Sequence, residues 1–164
     1  MEPDDTINSI REQETWTIAD VERLRALTVT YPNDSYLWDV LGDISQMIDS
    51  ESITNDFSLQ CYLTAIGADP TYWPAHESLG HWYDLAEDLP LAQRHFLLAI
   101  EHGADDSVRV ALASILAQMG LEADALAELD RCEDPNAEIV LDMRREIAEG
   151  DHAPDIDDEP TKAE

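Results

Sequence analysis

Histidines, cysteines and carboxylates are the side chains here that could do chemistry, and their spacing limits what they can do. His76 and His81 lie five residues apart, about 140° around a helix, so they do not share a metal ion. His95 and His102 are seven apart and share a face, but no third ligand lies near them in the sequence. Cys61 and Cys132 are far apart and form no Cys-x-x-Cys, which leaves neither a zinc nor a redox motif and predicts two buried free thiols. Asp105-Asp106 and Asp157-Asp158-Glu159 lack the loop spacing of a calcium site and read as solvated acidic loops. The 6 glycines are scattered, with no phosphate-cradling loop and no Gly-x-Ser-x-Gly elbow among them. With 37 Asp and Glu, carboxylate pairs arise by chance, so no single pair marks a catalytic centre. The expectation is a protein that is not an enzyme and that holds no metal or cofactor.

Composition points the same way. The 164 residues carry 9 Lys and Arg against 37 Asp and Glu, a net charge of -28. Binding to nucleic acid or to an anionic membrane needs clustered bases facing phosphates, and Lys162 is the only lysine. The hydrophobic fraction, 44%, is close to that of globular chains and argues against a wholly disordered one. Met1-Glu2-Pro3-Asp4-Asp5 is acidic and lacks the apolar stretch of a signal peptide. No run nears the ~18 apolar residues of a membrane span. A soluble cytoplasmic protein is expected.

The elements that would position any site are helices. Leu79, Trp82, Tyr83 and Ala86 recur at the spacing of one helix face, as do Ala92, Phe96, Ala99 and Ile100, then Val108, Leu112, Ile115 and Met119. Stop signals separate them at Pro32, Pro70, Pro90, Gly103, Gly120 and Pro135. The reading is helices near 18–30, 35–48, 55–67, 72–86, 90–102, 106–119, 121–132 and 136–149, with Asp34 or Ser35 as a cap. Short connections imply antiparallel neighbours. In the last helix Ile139, Val140, Met143 and Ile147 are expected inward. Residues 1–16 and 150–164 are acidic and poor in apolar side chains, so a disordered N-terminal arm and a disordered C-terminal tail are expected around a helical domain at 17–149. That domain still carries about -19 once the ends are removed.

The helix pairs repeat. Trp38-x-x-Leu41-Gly42 is echoed by His76-x-x-Leu79-Gly80-x-x-Tyr83, and Ser58-x-x-x-Tyr62-x-x-Ala65 by Ala92-x-x-x-Phe96-x-x-Ala99. This resembles the tetratricopeptide repeat (TPR), a 34-residue helix–turn–helix unit. The resemblance runs over about 35–132, with a half-unit at 18–32 and a capping helix after Pro135. It is weakest in the third unit, where Ala113-Ser114 replaces Leu-Gly. It implies an all-α fold, a right-handed superhelix of antiparallel helix pairs. In such units Gly42 and Gly80 let the paired helices approach, while Trp38, Leu41, Tyr62 and Phe96 fill the remaining space.

In TPR proteins the first helix of each unit lines a concave face that holds a partner peptide. Carried over position by position, the resemblance names Tyr36, Asp39, Asp43 and Gln46 in the first unit. It names Glu77, His81, Asp84 and Leu85 in the second, and Val108, Ala111, Ile115 and Met119 in the third. TPR modules that grip acidic tails use Lys, Arg and Asn there. With Asp39 and Asp43 in those places the matching partner is another protein with a basic or amphipathic segment. Two alternative roles share these features: an immunity or inhibitor protein against a basic toxin or nuclease, and a TPR-type secretion chaperone for apolar segments. Adaptation to a salt-rich cytoplasm is a third source of the acidity.

Overall fold

A computed structural model describes residues 3–48, 53 and 55–150 of the chain. The described residues form helices only: α1 (Pro3–Arg11), α2 (Ile18–Thr30), α3 (Ser35–Gln46), α4 (Asn55–Ala68), α5 (Trp73–Leu85), α6 (Leu89–Glu101), α7 (Asp106–Gln118), α8 (Glu122–Leu129) and α9 (Glu138–Glu149). Local signals set their starts. The Asp34 carboxylate accepts a hydrogen bond from the Leu37 N–H at 3.0 Å, and that of Asp88 one from Leu91 at 3.2 Å. Pro74 and Pro90 stand in the first turns of α5 and α6, where a missing N–H costs nothing.

The helix α1 departs from the expectation of a disordered arm over 1–16. Asp4 and Asp5 stand in its first turn, while Ile7 and Ile10, three apart, are fully buried in one cluster with Val21, Leu24, Leu37 and Val40. The Trp16 indole N–H then donates to the Ile10 carbonyl at 2.9 Å and closes the turn into α2. Average acidity hid a two-residue anchor. The expected tail at 150–164 lies, after Gly150, outside the described residues.

The helices fall into two compact units, residues 1–104 and 105–164. In the first, α3 packs on α4 and α5 on α6, and α5 also meets α3 and α4. Glycine makes both pairs close. A Cβ at Gly80 would lie 2.5 Å from Phe96 Cε1, and one at Gly42 would lie 2.8 Å from Tyr62 Cδ1 and nearer still to Cε1. The aromatic of the second helix thus lies against the glycine of the first. In the second unit α7 packs on α8 and α9, with Val108, Leu112, Ile115, Leu129 and Val140 buried between them. Glu128, also buried, pairs with Arg109 at 3.3 Å and with Arg131. Ile139 was expected to face inward with Val140 and Ile147; those two are buried, but Ile139 is 51% exposed. α9 packs only on α7 and α8, so its inward stripe is narrow, and Val140 and Ile147, seven residues apart on one face, occupy it.

Candidate functional site

The inner faces of α3 and α5 gather most of the residues expected to meet a partner. Asp39 and Asp43 lie one helical turn apart on α3. The Ser78 hydroxyl of α5 stands between them, 2.9 Å from Asp39 and 3.4 Å from Asp43. Asp43 also accepts from the Tyr62 hydroxyl at 3.1 Å, so that ring reaches from beneath Gly42 to the polar face. Tyr36 and Tyr72 border the cluster. Arg11, at the end of α1, lies over the Tyr36 ring with its Cζ 5.8 Å from the centroid, and donates to the Tyr36 hydroxyl at 3.1 Å.

Burial governs the charge here. Asp39 is only 5% exposed. Desolvation, followed by the negative Asp43 beside it, pushes its carboxyl up to about 7, against the pull of Ser78 and Arg11. Asp43 is raised as well, again mainly by desolvation, while Tyr62 and Arg11 hold it down. The pair therefore carries less charge near neutral pH than two surface aspartates would. Asp39 belongs beneath the surface, not to an exposed acidic wall as the sequence suggested.

The remaining expected residues separate by exposure. Tyr36, Asp43, Glu77 and Asp84 are half-buried, while Gln46, His81 and Leu85 are exposed. His81 meets the edge of Phe96, centroids 5.0 Å apart. In the second unit Ile115 and Val108 are fully buried and build the α7 core, because the apolar stripe of α7 packs on α8 and α9. They cannot line a binding wall. Ala111 and Met119 stay partly exposed.

Several neighbours of these residues escaped the sequence reading. Met47 stands five residues after Gly42, as Leu85 stands five after Gly80, and the two are 71% and 79% exposed. That shared register was the signal available for Met47. Arg11, Met47, Gln46 and Asp43 border one cavity of about 330 Å³ together with Trp16, and Gln46 borders a second with Trp82 and Leu85. Ser78, Tyr72 and Arg11 carried no signal, since their contacts depend on how α1, α3 and α5 meet.

The histidines regroup as well. His76 Nδ1 lies 3.2 Å from His95 Nδ1, and His76 Nε2 lies 3.1 Å from the Pro70 carbonyl. The carbonyl can only accept, so Nε2 of His76 carries a proton. In the neutral pair Nδ1 of His95 must then donate to Nδ1 of His76. Tyr83 stacks on His95, and His102 on His76. Burial, then the neighbouring His76, lowers His95 to about 4. Cys61 and Cys132 are buried free thiols, and desolvation pushes Cys61 up to about 12. No group of three or more metal-ligating side chains occurs among the described residues, and no helix there is long and apolar enough to cross a membrane.

No protein-family model matches the chain, and no curated protein matches it. Among solved structures it is similar to a thermophilic TPR protein of Thermus thermophilus, with 21% identity and a TM-score of 0.62 over 80% of this chain and 71% of that one. With the helix pairing, that likeness establishes an all-α, TPR-like solenoid fold.

Proposed function

We propose that this protein is a non-enzymatic interaction module that holds a basic, amphipathic segment of another protein along α3 and α5. One observation carries the reading. The half-buried Asp43 borders one cavity with Met47, and the half-buried Asp84 adjoins Leu85 on α5; Met47 and Leu85 are two large apolar side chains left in water at the same repeat position. Apolar side chains exposed this far beside carboxylates match a partner that alternates cationic and apolar residues. A rim of acids also speeds encounter with a basic partner.

The test is selection from a random-peptide display library at physiological salt. Enrichment of peptides with Arg or Lys next to apolar residues is expected, with binding lost in Leu85→Asp and in Asp43→Asn and kept in the control Arg145→Ala. Acidic or uncharged winners, or binding that ignores Leu85, would overturn the reading.

A further inference from the structure

The cluster on α3 already has a cation beside it, supplied by the chain itself. Arg11 is the last residue of α1, whose Ile7 and Ile10 are fully buried, so its backbone is pinned while its side chain is exposed. The guanidinium spans the Tyr36 ring and hydroxyl. Asp43, Asp39 and Tyr72 all lie within its electrostatic reach. Among the described ion pairs, none joins Arg11 to either carboxyl. It stands at the mouth of the 330 Å³ cavity that Asp43 borders, held by one hydrogen bond and one ring contact. The other described bases of this unit are engaged elsewhere or face away: Arg23 with Asp20, Arg25 over Phe57, and Arg94 on the α6 surface.

We propose that Arg11 is a built-in placeholder for an arginine of the partner, and that binding swings Arg11 off Tyr36 while α1 stays docked. This rests on the reading of α3 and α5 as the binding face. The geometry favours arginine over lysine. A planar guanidinium can stack on Tyr36 and donate to its hydroxyl, as Arg11 does, with further N–H groups left to face the cavity that Asp43 borders, whereas an ammonium offers neither plane nor fork. The swing is local. It breaks an exposed ring contact and one hydrogen bond and leaves the Ile7 and Ile10 packing in place.

The experiment titrates the full-length protein with L-argininamide and, as control, L-lysinamide at physiological salt. It follows the NMR signals of the Trp16 indole N–H, of Tyr36 and of the Arg11 side chain. Arg11→Gln should bind argininamide about five- to tenfold more tightly than wild type, since the resident contact no longer competes. Arg11→Lys should fall between the two. Argininamide should be preferred to lysinamide, and Asp43→Asn should abolish the gain. In wild type, saturation should move the Arg11 guanidinium resonance. Equal affinity in wild type and Arg11→Gln would overturn the proposal, as would an equal gain for both amides, which marks general attraction to an acidic surface. If the gain is absent while a display-selected peptide still binds in a Leu85-dependent way, the placeholder falls and the binding face stands. If argininamide gains while no peptide depends on Leu85, the cation site stands without the peptide groove.

Discussion

Replacing Asp39 with Asn should stabilise the protein, and by an amount that depends on pH. The buried carboxyl goes from 3.8 in the unfolded chain to about 7 in the fold. Its folded pKa is raised, so the native state holds the extra proton. The stability this confers is present in full below about 3.8 and is lost as pH climbs through about 7. At 1.36 kcal/mol per pH unit, the wild type at pH 8 bears about 4 kcal/mol of ionisation cost that Asn avoids. At pH 5 the difference should shrink to about 2 kcal/mol, and near pH 3.5 it should almost vanish. Asn has the same shape, and its carbonyl oxygen can still accept from Ser78. Urea unfolding of both proteins at these three pH values measures the gap, with equal m-values confirming that the unfolded states match. A gap that stays constant with pH, or an Asn variant less stable than wild type at pH 8, would refute the assignment of burial as the cause.

The His76–His95 pair predicts the opposite slope: both pKa values are lowered by burial, so stability is lost as pH falls from about 6.5 toward about 4. His95→Phe should therefore lose less stability than wild type between pH 7 and 4.5, read by the same unfolding assay. Because these slopes oppose one another over nearly one window, each shows only as a difference between variant and wild type. Gly80→Ala should lower stability by about 1–3 kcal/mol despite Ala's better helix propensity, because the new Cβ would meet Phe96; calorimetry checks it. Phe96→Ala should cost about 3–5 kcal/mol in urea unfolding by opening a cavity beneath Gly80.

Helix positions were largely legible in the sequence, since capping aspartates, prolines and apolar spacing act within a few residues. The α2 span was expected at 18–30 and forms Ile18–Thr30, and Gly42 and Gly80 meet the aromatics expected opposite them. What escaped depends on contacts between helices distant in sequence. Charge averaged over 1–16 concealed Ile7 and Ile10. Asp39 reads as a surface acid until α5 covers it with Ser78. Ile115 shares the repeat position of Asp43, but α8 and α9 enclose it. His76 and His95 sit nineteen residues apart, on helices whose pairing alone brings their rings together.

The two aromatics under the glycines differ by one oxygen atom, and that atom makes the repeats unequal. Phe96 ends in carbon and meets the surface only through the edge contact with His81, with no hydrogen bond to offer. Tyr62 fills the same niche but donates its hydroxyl to Asp43, a carboxylate a ligand can touch. A guanidinium that claims Asp43 competes for the lone pairs this phenol uses. That ring lies against Gly42, in the seam between α3 and α4. The first repeat thus has a hydrogen bond from rim to interior where the second has only a ring contact. Exchanging α4 with α6 would preserve nearly all of the packed volume yet move that linkage opposite His81, leaving the acidic site insulated from the core behind it.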